Sequence, residues 1–131
     1  MDKKLSEKKR FSVVARLKST NHAFRGIKLF LKTTHNAWVH LFFTVLVVYL
    51  GFVLKISSIE WILIILVVGL VILFEMINTA IEIDIDLTSP NYHPYARDTK
   101  DVAAGAVSVA VVIAGIVGIM IFLPKIFMLI R

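Results

Sequence analysis

Glu75, Asn78, Glu82 and Asp86 stand three, four and four residues apart in a stretch dominated by Ile, Phe, Met, Ala and Leu. At 100° per residue, that spacing places all four on one stripe of a helix. Ionisable groups are costly in a membrane span, so a line of them facing a bundle interior points to function. Carboxylates on one stripe, reached from the membrane surface, suit Mg²⁺ held by one or two acidic side chains together with substrate phosphates. One of them is also placed to act as a base. The same stripe is compatible with an interhelical hydrogen-bond network that only joins helices, or with a proton or ion path. Asp84 falls on the opposite side of the helix and is expected to meet water or headgroups.

After the Ser89-Pro90-Asn91-Tyr92-His93-Pro94 segment, Arg97, Lys100 and Asp101 fall where the next helix is expected to begin. A lysine beside an acidic stripe and a helix N-terminus makes a phosphate site. Asp101 is either the cap of that helix or a ligand. His22, His35 and His93 show no metal-ligand spacing, and the chain has no GxxxxGK[ST] motif, so a nucleotide site here is not a P-loop. Charge and periodicity alone do not identify the nucleotide.

Four segments must position these residues. Residues 1–10 are polar and charged and read as a flexible basic tail. From about 11 to 34 the pattern is helical. Phe24, Ile27 and Leu31 lie on one side and Arg25, Lys28 and Lys32 on the adjoining side, which describes an amphipathic helix in the interface plane. The basic edge, Arg25 included, faces lipid headgroups or a nucleotide. Apolar runs at about 37–54, 59–87 and 101–123 are each long enough to cross about 30 Å of hydrocarbon. The first has only His40 and Thr44 as polar interruptions, and the second exceeds one crossing, so its polar last turns emerge into the interface. Pro124 is expected to end the third run. Ala106, Ala110, Ala114 and Gly118 form a small-residue stripe that admits a neighbouring helix closely.

The composition agrees. Of 131 residues, 58% are hydrophobic, which excludes a typical soluble domain, and the length allows one compact unit. The fold class expected is therefore an all-α membrane protein, an interfacial helix followed by three transmembrane helices. Cysteine is absent, so disulfide and thiol chemistry are excluded. The net charge of +6 is concentrated ahead of the first span, which places the N-terminus in the cytoplasm and, after three crossings, the C-terminus outside. No groove-reading or stacking pattern accompanies the basic residues, so nucleic acid is not an expected partner. Three spans do not readily enclose a site, so a homo-oligomer is expected.

Glu75-Met76-Ile77-Asn78-Thr79-Ala80-Ile81-Glu82, followed by Lys100-Asp101-Val102-Ala103-Ala104-Gly105-Ala106-Val107, resembles the prokaryotic diacylglycerol kinase and undecaprenol kinase family. Ala23-Phe24-Arg25-Gly26-Ile27, the segment from Asn36 to His40, and Tyr92-His93-Pro94 extend the resemblance over roughly residues 15–124.

The resemblance implies one membrane kinase domain over 11–131 in the prokaryotic inner (plasma) membrane, assembled as a homotrimer with sites shared between neighbouring chains. It implies transfer of the ATP γ-phosphoryl group to a lipid hydroxyl, that of undecaprenol or diacylglycerol, with Mg²⁺. Glu75 becomes the base that takes the hydroxyl proton and Glu82 the Mg²⁺ ligand. Asn78 orients the reacting phosphate, Lys100 neutralises it, and Asp101 helps seat the nucleotide. Where the family usually carries a second metal-binding glutamate, this chain has Thr34, so metal is held more weakly or supplemented by Asp86, His35 or a neighbouring chain. Trp38 replaces a common arginine, and Asp98 puts an acid into a usually basic stretch. A catalytically silent, lipid-binding or structural homologue is the alternative that Thr34 keeps open.

Overall fold

The computed structural model describes residues 13–130. The basic tail and the first two residues of the expected surface helix lie outside the described residues. The described residues form four helices: α1 (Val13–Thr33), α2 (His35–Val53), α3 (Ser58–Thr88) and α4 (Pro94–Ile130). The spans Asn36–Val53, Ser58–Thr88 and Pro94–Ile130 are long and apolar enough to cross a membrane, and the chain is an integral membrane protein.

Thr34 separates the first two helices. Its backbone is extended (φ −102°, ψ 107°), which breaks the helical path between α1 and α2. Phe30 is buried at the end of α1, and Nε1 of Trp38 donates to the Leu31 carbonyl at 3.1 Å, tying the two helices across the break. Phe24 and Ile27 on α1 are exposed.

The α2–α3 turn is a Schellman motif. The Ile56 N–H donates to the Gly51 carbonyl at 3.1 Å and the Lys55 N–H to the Phe52 carbonyl at 3.3 Å, with Lys55 at φ 51° where glycine is usual. Helix α3 then opens on a capping box. The Glu60 N–H donates to the Ser57 hydroxyl, and the Ser57 N–H donates to the Glu60 carboxylate at 2.6 Å. Ile56, Ile64, Ile121 and Phe122 close the core at this end, with Trp61 and Leu50 packed on it.

Helix α3 has 31 residues, about 46 Å at 1.5 Å per residue, so it exceeds the hydrocarbon thickness as its polar C-terminal turns require. Its partner is α4, and this pairing is the most extensive in the chain. Ala110 is buried and Ala106, Ala114 and Gly118 half-buried along α4, so the small-residue stripe serves packing within the chain.

Two boundaries of α4 differ from expectation. It begins at Pro94, not at residue 101, because proline at the first helical position surrenders an N–H that no helix bond would use. The His93 carbonyl accepts from the Arg97 N–H at 3.1 Å, which makes His93 the residue that leads into the helix. It also runs through Pro124 to Ile130. A single proline deletes one helical hydrogen bond, a loss that transmembrane helices tolerate.

Candidate active site

The acidic stripe of α3 runs from the interior to the surface. Glu75 and Asn78 are buried, Glu82 is half-buried and Asp86 is exposed. Such a gradient follows from one helix face passing from the packed bundle to the polar interface, and it leaves the outer members open to a soluble ligand. Asp84, on the other side, is exposed as expected.

Glu75 is only 2% exposed and has a defined partner. Nε2 of His40, from α2, lies 2.9 Å from its Oε1. A buried carboxylate needs such a hydrogen bond to offset lost hydration. The Thr79 hydroxyl donates to the Glu75 carbonyl and also meets the Thr34 hydroxyl, both at 2.9 Å. Thr34 therefore brings a neutral hydroxyl to the stripe at the break between α1 and α2. His40 is the partner of the stripe that sequence reasoning missed. An ionisable group in an apolar span was the signal that should have found it.

One turn along, Nδ2 of Asn78 donates to Oε1 of Glu82 at 2.9 Å. That bond fixes the amide orientation, because the reverse would set oxygen against carboxylate. Oδ1 of Asn78 is consequently left buried with no protein partner. An acceptor in that position requires a donor or a cation, and it would repel a bare phosphate oxygen.

Lys100 reaches across from α4 to pair with Asp86, so the structure joins the lysine to the acidic stripe as the sequence suggested. Its relation to a helix end is different. Because α4 starts at Pro94, Lys100 and Asp101 lie in the second and third turns, so neither is at a helix N-terminus and Asp101 does not cap. Asp101 instead pairs with Arg97 one turn earlier at 3.5 Å, and both are exposed. His93 is exposed with its ring centroid 5.6 Å from that of Tyr95, and Arg25 is exposed on α1 without a hydrogen bond or ion pair among the described residues. Neither joins the stripe.

Among the described residues no three His, Cys, Asp or Glu side chains gather into a metal-binding cluster. Mg²⁺ needs no such cage when nucleotide phosphates supply part of its shell. The Glu82 carboxylate and the unpartnered Oδ1 of Asn78 are oxygen donors of the right type, so these residues fit the ion.

The prokaryotic diacylglycerol kinase family model matches residues 21–122, covering the break, the stripe and Lys100. The chain belongs to the prokaryotic diacylglycerol kinase family. As a member it is a prokaryotic lipid kinase, and a kinase family implies a nucleotide substrate and usually a divalent metal. It is 44% identical over 108 residues to an undecaprenol kinase of Bacillus subtilis, covering 82% of this chain and 88% of the relative. A diacylglycerol kinase of Synechocystis sp. is 37% identical over 109 residues, covering 82% of this chain and 62% of the relative. A diacylglycerol kinase of Haemophilus influenzae is 32% identical over 108 residues, covering 81% and 92% respectively.

Proposed function

We propose that this protein transfers the γ-phosphoryl group of ATP to the hydroxyl of a membrane lipid alcohol at the cytoplasmic surface. The observation that carries the proposal is the stripe itself. A buried carboxylate, Glu75, stands at the membrane end, while Glu82, Asp86 and Lys100 stand at the polar end. A lipid hydroxyl arriving from the bilayer and a nucleotide arriving from water then meet along one helix face.

Glu75 draws the proton from the lipid hydroxyl. Glu82 and Oδ1 of Asn78 would hold Mg²⁺. Lys100 exchanges its contact with Asp86 for the phosphate chain, and Asp101, the next residue along α4, helps seat the nucleotide. Bound Mg²⁺ supplies neutralisation of the phosphate oxygens. The protein's task is positioning and electrostatic stabilisation, since phosphoryl transfer leaves little covalent work to the enzyme.

Undecaprenol is the favoured acceptor and diacylglycerol the alternative. The relative named undecaprenol kinase shares 44% identity with the chain, against 37% and 32% for two named diacylglycerol kinases. The reading includes a homotrimer, an interfacial α1 and a cytoplasmic N-terminus. The broad exposed apolar surface of α2 and α3 in the single chain is consistent with burial against lipid and neighbouring copies.

Glu75→Gln tests the assignment. The expected result is loss of lipid phosphorylation by about two orders of magnitude or more, with the folded oligomer intact. Full activity in that variant overturns it.

A further inference from the structure

The two carboxylate oxygens of Glu75 are not equivalent. Oε1 lies 2.9 Å from Nε2 of His40, whereas Oε2 makes no hydrogen bond within the described residues. Oε2 is not sealed in either, because among the described residues the fully buried side-chain atom without a partner is Oδ1 of Asn78. An ionised carboxylate only accepts, so Nε2 of His40 carries the hydrogen and donates it to Oε1. The terminal torsion of a glutamate is broad and roughly two-fold, so its own helix does not fix which oxygen points where. Here the fixing bond comes from α2, across its contact with α3. The space around the imidazole is walled by Phe43, Val47, Val71 and other apolar side chains, and the Thr44 hydroxyl beside it donates to the His40 carbonyl at 2.7 Å. His40 is thus the side-chain donor that the described residues offer to this carboxylate.

We propose that His40 is a positioning residue for the base: it holds Oε1 and leaves Oε2 of Glu75 as the oxygen that takes the lipid hydroxyl proton. The inference rests on the lipid kinase reading above and deepens it, by assigning the accepting atom and the side chain that aims it. The hydroxyl oxygen forms its new bond to the γ-phosphorus of ATP. The bond from that phosphorus to the β,γ-bridging oxygen breaks, and its electron pair leaves with ADP. The hydroxyl proton goes to Oε2. Glu75 is then a neutral acid whose carbonyl oxygen is Oε1, which still accepts from Nε2. The His40 bond therefore lasts through the step, and the imidazole neither gains nor loses a proton. Delivery to Oε1 would instead cost that bond. A donor already in place needs no reorganisation as the carboxylate changes charge, and a small misplacement of the accepting atom is costly in rate.

His40→Leu removes the donor, and His40→Gln returns an N–H to about the place of Nε2. With ATP varied at saturating lipid in mixed micelles, we expect His40→Leu to lose about 30-fold or more in kcat with KM for ATP unchanged. His40→Gln is expected to keep about a tenth or more of the wild-type kcat, a rescue that loss of packing alone does not predict. The variants are compared as protein whose oligomer and thermal unfolding in detergent match wild type. His40→Asn, whose amide is one methylene short of Oε1, takes the place of the leucine variant if that one does not fold, and is expected to fall as far. A donor-lacking variant with kcat within about threefold of an active wild type overturns the proposal. So does a glutamine variant no faster than the leucine or asparagine one, and either result leaves the kinase reading standing. Absence of transfer by folded wild type to either lipid alcohol overturns the kinase reading itself and, with it, this inference.

Discussion

Nδ2 of Asn78 donates to Oε1 of Glu82 at 2.9 Å, while the other end of the same amide is buried without a partner. The pair thus presents an oriented carboxylate and an unspent carbonyl oxygen one helical turn apart. Removing either member is expected to weaken metal use. Asn78→Leu should raise the Mg²⁺ concentration for half-maximal activity about tenfold, and Glu82→Gln should raise it further, by reducing the oxygen donors and charge around the ion. Titrating Mg²⁺ at saturating ATP measures both. An unchanged Mg²⁺ requirement in Glu82→Gln removes Glu82 from the metal site.

Lys100 is held by Asp86 across the α3–α4 pair, and both side chains are reachable by solvent. In the proposed site, nucleotide phosphate displaces Asp86 to engage the lysine. Asp86→Asn is therefore expected to lower KM for ATP by up to about fivefold, the scale of an exposed ion pair. Lys100→Met should raise it. Steady-state kinetics with ATP varied at fixed lipid distinguishes the two directions, and a rise in both variants would assign Asp86 to the nucleotide or metal instead.

Thr34 meets Thr79 through their hydroxyls at 2.9 Å, at the break that precedes α2. A carboxylate in place of Thr34 adds a charged oxygen ligand beside the stripe. Thr34→Glu should lower the half-saturating Mg²⁺ concentration by about tenfold, because affinity for hard cations follows ligand charge. Direct Mn²⁺ binding by paramagnetic resonance checks this apart from turnover.

The stripe itself was legible in the sequence, because a helix converts the three- and four-residue intervals between Glu75, Asn78, Glu82 and Asp86 directly into a shared face. The three spans were equally legible, because bilayer crossing imposes a minimum apolar length. The partners were not. His40 and Glu75 are 35 positions apart, and Thr34 and Thr79 are 45 apart, so their meeting depends on how α2 packs against α3. Proline caused the remaining differences. Treating Pro94 and Pro124 as breakers puts the third span at 101–123, whereas the first occupies a helix start and the second a helix interior. That shift moves Lys100 and Asp101 from a helix end into its body.

Lys55 adopts φ 51° at the Schellman position after α2, a conformation in which an L side chain crowds its own backbone. Lys55→Gly is expected to stabilise the fold by about 0.5–1 kcal/mol. Gly51 behaves oppositely. A Cβ there would stand 2.7 Å from the Trp61 ring, so Gly51→Ala should destabilise by about 1–3 kcal/mol. Thermal or denaturant unfolding in detergent compares both with wild type, and equal stability of Gly51→Ala would contradict the packing described.

Transfer of labelled γ-phosphate from ATP by purified protein in mixed micelles, with undecaprenol and diacylglycerol offered in parallel and Mg²⁺ present or omitted, tests the central claim most directly. The account predicts Mg²⁺-dependent label in a lipid alcohol, undecaprenol foremost, and its loss in Glu75→Gln. Label in neither lipid, from protein shown to be folded and oligomeric, would contradict it.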